Sequence, residues 1–327
     1  MARTNEDIDE KRSLDIGTLD SLRIVLDPVG QAGVALSLVL VMFSVALGLR
    51  IEDFSFLRSR PLLFAGGVVS QVVVLPLVTF LLILAIRPSA SIALGMIVVA
   101  CCPGGAVSNL LTYLSRGNVA ASVALTATSS LLAAILTPTS ILFWSHAYKP
   151  TAALLQTLDV NPLIFVAQTT FLLAVPLVLG MVVAAKAPDV AARIKKRTTV
   201  LGVSVLVGVI IYGIAYFFPV LFPALPLLGG VVILHNALAF ATGALAGRVL
   251  SRTLATRRAL TFEIGIQNSG LALVILLSQL KGLGGAAAVA AVWGVWHLVA
   301  GGLLAAFFRR LDTGGKFPAQ FRTDESS

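Results

Sequence analysis

Leu260-Thr-Phe-Glu-Ile-Gly-Ile-Gln-Asn-Ser-Gly-Leu271 sets one carboxylate, Glu263, among apolar neighbours and follows it with two amides, a hydroxyl and two glycines. A charge facing lipid costs about 2.5–3.5 kcal/mol on insertion scales, so a span carries one only where something offsets it. The least costly offset is a bound cation, or a proton in a polar cavity. Non-helical backbone at membrane depth persists only when it is buried in protein or lines a cavity. The stretch therefore predicts an unwound helix at a polar site inside a bundle of membrane spans.

The rest of the chain agrees with a bundle. Hydrophobic residues make up 57% and charged residues 12%, whereas soluble domains carry about 25% charged residues. The expected fold is an all-α polytopic membrane protein. A span needs about 20 mainly apolar residues, and the charged or Gly/Pro-marked breaks delimit nine: 32–49, 61–86, 91–115, 118–144, 162–185, 200–222, 226–247, 259–280 and 284–308. The other fourteen acidic residues fall in tails or loops.

Charge distribution orients the spans. Seventeen Lys and Arg residues lie in alternate connections, at 50–60, Arg116, 186–197, 248–258 and beyond 308. The opposite connections hold three, Arg87, Lys149 and Lys281. By the positive-inside tendency the rich set faces the cytoplasm, which predicts a multi-pass plasma (inner) membrane protein with its N-terminus outside and its C-terminus inside. The net charge of +9 thus reports topology, and no nucleic-acid partner is expected. Residues 1–31 form a polar tail without an apolar leader, in which Leu19–Val29 could make a short surface helix; 309–327 form a cytoplasmic tail.

Span three is interrupted like span eight. Cys102-Pro-Gly-Gly-Ala-Val-Ser-Asn109 sets a proline and two glycines halfway along an apolar run, where Pro costs about 3 kcal/mol and Gly about 1 kcal/mol in a helix interior. Span four carries a third interruption at Thr137-Pro138. Pro and Gly alone could merely kink close-packed spans, but a kink does not call for Ser108, Asn109, Glu263, Gln267 and Asn268 beside it. Sliding the chain by 159 positions lays Val73-Val74-Leu75 on Val232-Ile233-Leu234, and Ser108-Asn109 on Gln267-Asn268. Two matches at one offset point to inverted-topology halves, 32–157 with spans one to four and 158–308 with spans five to nine, whose broken helices cross near the midplane. Oxygens of Ser108, Asn109, Gln267 and Glu263 would then form a hard shell that suits Na+ better than a transition metal. Ser122 and Thr126, spaced i, i+4, share one face of span four, and Gln71 precedes Pro76 by five residues in span two.

These segments, with Tyr113-Leu-Ser-Arg-Gly-Asn118 and Val295-Trp-His297, resemble the bile acid:sodium symporter family over about residues 38–308. The resemblance implies a nine-span member with a panel of spans one, five and six and a core of spans two to four and seven to nine. It implies two Na+ ions as coupling cofactors. One would sit among Ser108, Asn109, Ser122, Thr126 and Glu263, the other among Gln71, Glu263, Gln267 and the backbone carbonyls of Glu263, Ile264 and Ile266. It places an organic anion, bile-acid-like or a small carboxylate such as pantoate or pyruvate, near Asn109, Asn268 and Ser269, with His297 at the cavity.

The expected activity is sodium-coupled symport by alternating access in the lipid bilayer. Proton coupling through Glu263 is the alternative, and an arsenite-type permease using Cys101 or Cys102 a further one. A receptor is not expected, because it would need a larger soluble output domain. An enzyme is not expected, because His146, His235 and His297 are scattered and show no ligand spacing such as H-E-x-x-H. The runs Gly282–Ala288 and Ala300–Gly302 fit close helix packing, which leaves a monomer or weak homodimer.

Overall fold

The computed structural model describes residues 28–49 and 59–313. Leu19–Val29 and the tails 1–31 and 309–327 lie largely outside them. The described chain is helical, in the order α1 (Pro28–Ala46), α2 (Pro61–Val69), a π-helical turn (Ser70–Val74), α3 (Leu75–Ile86), α4 (Ala90–Cys101), α5 (Ala106–Leu114) and α6 (Val119–Ala147). It continues as α7 (Lys149–Thr157), α8 (Pro162–Lys186), α9 (Pro188–Leu250), α10 (Leu254–Gly265), α11 (Ser269–Ser278) and α12 (Gly284–Thr313).

Among the described residues, five stretches are long and apolar enough to cross a membrane by length and composition: Pro61–Ile86, Val119–Ala147, Pro162–Lys186, Leu225–Leu250 and Gly284–Asp312. They coincide with expected spans two, four, five, seven and nine. Their outer faces carry bare apolar side chains, among them Leu62, Phe171, Val249 and Leu303, as faces turned to hydrocarbon do. Span one is shorter than expected, its apolar part running Gly30–Ala46.

The broken helices lie inside this coat. Every residue of α4 from Ser91 to Cys101 is buried, as are Ala259–Gly265 of α10 and Leu271–Leu277 of α11. A helix apolar on all sides has no surface to offer water and ends up in the centre. Small residues let the backbones approach there. A Cβ on Gly95 of α4 would come 2.7 Å from the Ala286 carbonyl of α12, and one on Gly301 would come 2.6 Å from Leu111 Cδ1. The small-residue runs near 282–288 and 300–302 are thus used within the chain.

Two expected breaks are absent. α6 runs through Thr137-Pro138 without interruption. A proline removes one ladder bond, and the helix absorbs the loss while Thr137 turns its hydroxyl to the Cys101 carbonyl (3.0 Å). α9 likewise runs through 223–225, where spans six and seven were expected to part. Residues 214–228 contain Pro219, Pro223 and Pro226 but no Gly, Asn, Asp or Ser to make a turn, and proline's fixed φ is itself helical.

At the charged end of the bundle Arg258 and Asp312 form a largely buried ion pair. Arg258 of α10 donates to both carboxylate oxygens of Asp312 in α12 (2.8 and 2.7 Å) and to the Ser115 carbonyl just past α5 (2.6 Å). Its guanidinium lies 5.1 Å from the centre of the Phe308 ring. One side chain therefore joins the ends of both broken spans to α12. Asp312→Ala leaves a buried guanidinium without its acid, and removing one partner of such a pair costs about 3–5 kcal/mol. The thermal midpoint of the detergent-solubilised variant should fall sharply, and Arg258→Met/Asp312→Leu together should recover much of it. A single variant as stable as the parent would contradict this.

Candidate functional site

Both breaks are made by backbone that leaves the helical region. α4 gives way at Cys102, which is extended (φ −76°, ψ 155°), and α10 at Ile266 (φ −110°, ψ 104°). The two linkers cross antiparallel: the Gly105 amide donates to the Ile266 carbonyl (3.3 Å) and the Asn268 amide to the Pro103 carbonyl (2.9 Å), forming a bridge between Gly104 and Gln267. Downstream, the chain re-enters helix at Ala106 and Ser269, so two half-helix N-termini start beside the crossing.

Ending a helix inside protein strands its last carbonyls, which need new donors. Side chains supply several. Thr137 serves Cys101, Gln71 Nε2 serves Cys102 (3.2 Å), Gln267 Nε2 serves Ile264 (2.6 Å) and Asn236 Nδ2 serves Gly265 (2.9 Å). Gln71 reaches the break because it sits in the π turn before Pro76, a widening of the kind that recurs at functional sites.

The five residues of the first expected cation set come together. Glu263 is 2% exposed, and its Oε2 accepts from Ser108 (2.7 Å) and Thr126 (2.8 Å). Asn109 Oδ1 accepts from Ser122 (2.8 Å) and lies 3.1 Å from the Thr126 hydroxyl. Thr112, not anticipated, lies one turn beyond Ser108 and donates to Ser122 (3.2 Å). Glu263 Oε1 is buried without a partner. It faces Gly104, where a Cβ would come within 2.2 Å of it. Among the described residues, no Lys, Arg or His pairs with this carboxylate; Arg258, the base about a turn and a half earlier in α10, is taken by Asp312. All the gathered donors are oxygens, and no group of three or more His, Cys, Asp or Glu side chains suited to a metal occurs among the described residues.

The second expected set is also adjacent. Gln71 Nε2 donates to Gln267 Oε1 (2.8 Å), and both side chains are buried. Gln71 Oε1 has no partner. The Ile264 and Ile266 carbonyls already accept one hydrogen bond each, which leaves each oxygen one lone pair.

The residues expected near substrate have separate partners. Asn268 Oδ1 caps α11 by accepting from the Leu271 amide (3.0 Å), and Ser269 lies against Gly294. His297 is buried, its Nδ1 donating to the Trp293 carbonyl one turn back (2.7 Å). Among the described residues, no hydrogen bond joins it to Asn109, Asn268 or Ser269. Asn236 escaped sequence reading although His235-Asn236 is a polar pair midway along span seven. Cys101 and Cys102 are buried, free thiols, and Ser140 donates to Cys101 Sγ (3.2 Å).

Comparison with known proteins converges on one family. The model of the sodium bile acid symporter family matches residues 35–218. The uncharacterized sodium-dependent transporter YocS of Bacillus subtilis (strain 168) is 31% identical over 274 residues, which cover 83% of this chain and 81% of YocS. The probable sodium/metabolite cotransporter BASS1, chloroplastic, of Oryza sativa subsp. japonica is 33% identical over 84% of this chain, which spans 65% of the rice protein's length. The ileal sodium/bile acid cotransporter of Homo sapiens is 28% identical over 77% of this chain and 71% of its own. With more than half its length matched by the family model, and with two broken helices crossing at a buried acid, this chain belongs to the sodium bile acid symporter family.

Proposed function

We propose that this multi-pass membrane protein is a sodium-driven carrier of an organic anion. The observation that carries the reading is the buried Glu263 carboxylate, which lacks a basic partner among the described residues and is ringed by neutral oxygens at the crossing. A carboxylate with three hydroxyls and an amide oxygen presents one negative charge in a hard shell, a match for a monovalent cation. The hydroxyls now point their protons at Glu263 and Asn109. Hydroxyl rotors are free to turn, so a cation would meet lone pairs once they swing away. Ser108, Asn109, Ser122, Thr126 and Glu263 form one Na+ site in this reading. Gln71, Gln267, Glu263 and the carbonyls of Glu263, Ile264 and Ile266 form a second.

The anion binds across the crossing from the ions, attracted by the N-termini of α5 and α11. Asn109, Asn268, Ser269 and His297 are the polar groups assigned to it. Sodium binding stiffens the crossing and so prepares these helix ends for the anion. A core of spans two to four and seven to nine then rocks against a panel of spans one, five and six. The relatives' names support sodium dependence and leave the cargo open, since one names a bile acid and another a metabolite.

Reconstituted protein tests the reading. Uptake of radiolabelled taurocholate, pantoate and pyruvate into liposomes is measured with an inward Na+ gradient, with an inward proton gradient in K+ buffer, and with neither. Uptake of at least one anion should follow the Na+ gradient alone. Uptake driven by the proton gradient without Na+ would replace this reading with proton coupling at Glu263.

A further inference from the structure

The Asn236 amide does for the second break what Gln71 does for the first. In an unbroken helix the Cys102 carbonyl would accept from residue 106 and the Gly265 carbonyl from residue 269. Both bonds are lost at the breaks, and the Ser269 amide turns to the Gln267 carbonyl instead (2.9 Å). Gln71, on the span preceding the first broken one, gives its Nε2–H to Cys102; Asn236, on the span preceding the second, gives its Nδ2–H to Gly265. Each amide is buried, and each keeps its side-chain oxygen without a partner. The two halves of the chain thus answer the same problem with the same chemical group.

Asn236 is itself held in place. Thr79 gives its hydroxyl proton to the Leu75 carbonyl (2.9 Å), so it accepts from His235 Nε2, 2.7 Å away. The His235 ring stacks edge-on against Trp293 of α12, with centroids 4.6 Å apart. His235 therefore fixes the rotation of α9 against α3 and α12, and its neighbour Asn236 is delivered to Gly265. Gly265 follows Glu263 by two residues and lies between the Ile264 and Ile266 carbonyls.

We propose that Asn236 is a positioning residue for sodium: its amide holds the Gly265 carbonyl and so aims the carbonyls on either side of it, and the Glu263 backbone, at the ion. The inference deepens the sodium reading and rests on it. Groups that orient ligands from behind change metal affinity by about 10–100-fold when removed.

The test is a Na+ titration of thermal unfolding on purified protein in detergent, with K+ replacing Na+ at constant ionic strength. Asn236→Met and Asn236→Gln match each other in length, each one atom longer than Asn; Met loses the donor and Gln keeps it. The half-saturating Na+ concentration should rise about 10–100-fold in Asn236→Met and stay near the parent value in Asn236→Gln. A merely structural role would lower the midpoint measured in K+ alone and leave the Na+ concentration dependence unmoved. Asn236→Ala supplies the donor-free comparison if Asn236→Met is not recovered folded. An unmoved Na+ dependence in a folded donor-free variant, or equal shifts in Met and Gln variants, overturns the inference. A parent protein that ignores Na+ altogether removes the sodium reading itself, and that result is distinct from a parent response which Asn236→Met leaves intact.

Discussion

Glu263→Gln is expected to lose Na+-driven uptake by at least about 100-fold while unfolding at a higher temperature than the parent in Na+-free buffer. The substitution keeps the shape of the side chain and removes its charge. A cation facing neutral oxygens alone forfeits the partner that draws it from water. Removing one member of a desolvated charge pair costs about 3–5 kcal/mol, and each 1.4 kcal/mol is about tenfold in affinity. The stability effect has the opposite sign because the parent without Na+ harbours a buried carboxylate whose Oε1 has no partner. Gain of stability with loss of function is the pattern expected where a site holds strain for a ligand. Uptake assays and melting curves with and without Na+ check both halves. Persistence of Na+-driven uptake, or a lower melting temperature in K+, would contradict the role given to this acid.

Gly104→Ala is expected to be nearly as damaging, although it adds one methyl group and no charge. The new Cβ would lie 2.2 Å from Glu263 Oε1, 2.8 Å from its Cδ and 3.1 Å from the Glu263 carbonyl oxygen. The carboxylate cannot retreat freely, since Oε2 is tied to Ser108 and Thr126. Nor can Gly104, whose linker is paired to 266–268. Overpacking of this kind costs about 1–3 kcal/mol, and here the displaced atoms are the proposed ligands. Na+ affinity should fall by at least about tenfold, with uptake falling in step. Gly302→Ala, where the added carbon meets nothing within 4 Å, is the matched control and should change little. Equal, small effects of the two substitutions would show that the approach of Gly104 to Glu263 has no functional weight.

The parts of this fold that sequence reveals are those in which a local pattern has a single physical solution. Pro103-Gly104-Gly105 and the stretch flanked by Gly265 and Gly270 break the helical pattern, and the structure has linkers at 103–105 and 266–268. The polar residues beside them had to meet something, and Ser108, Asn109, Ser122, Thr126 and Glu263 meet each other. Proline alone proved ambiguous. Pro138 and the three prolines between 219 and 226 stay within helices, because one missing donor is affordable when no glycine or polar turn residue accompanies it. Asn236 and Arg258 were missed for a different reason. Their partners, Gly265 and Asp312, are 29 and 54 residues away, and no local pattern reports a contact set by tertiary packing.

The crossing itself is made of main chain. Peptide groups of 103–105 and 266–268 carry the bonds between the linkers, and peptide groups are the same whatever side chains hang from them. Under the proposed function, a carrier assembled this way can exchange the residues that greet its cargo while the main-chain crossing beside the ion ligands stays put. Selectivity and energisation then become separable properties, free to drift independently across a lineage.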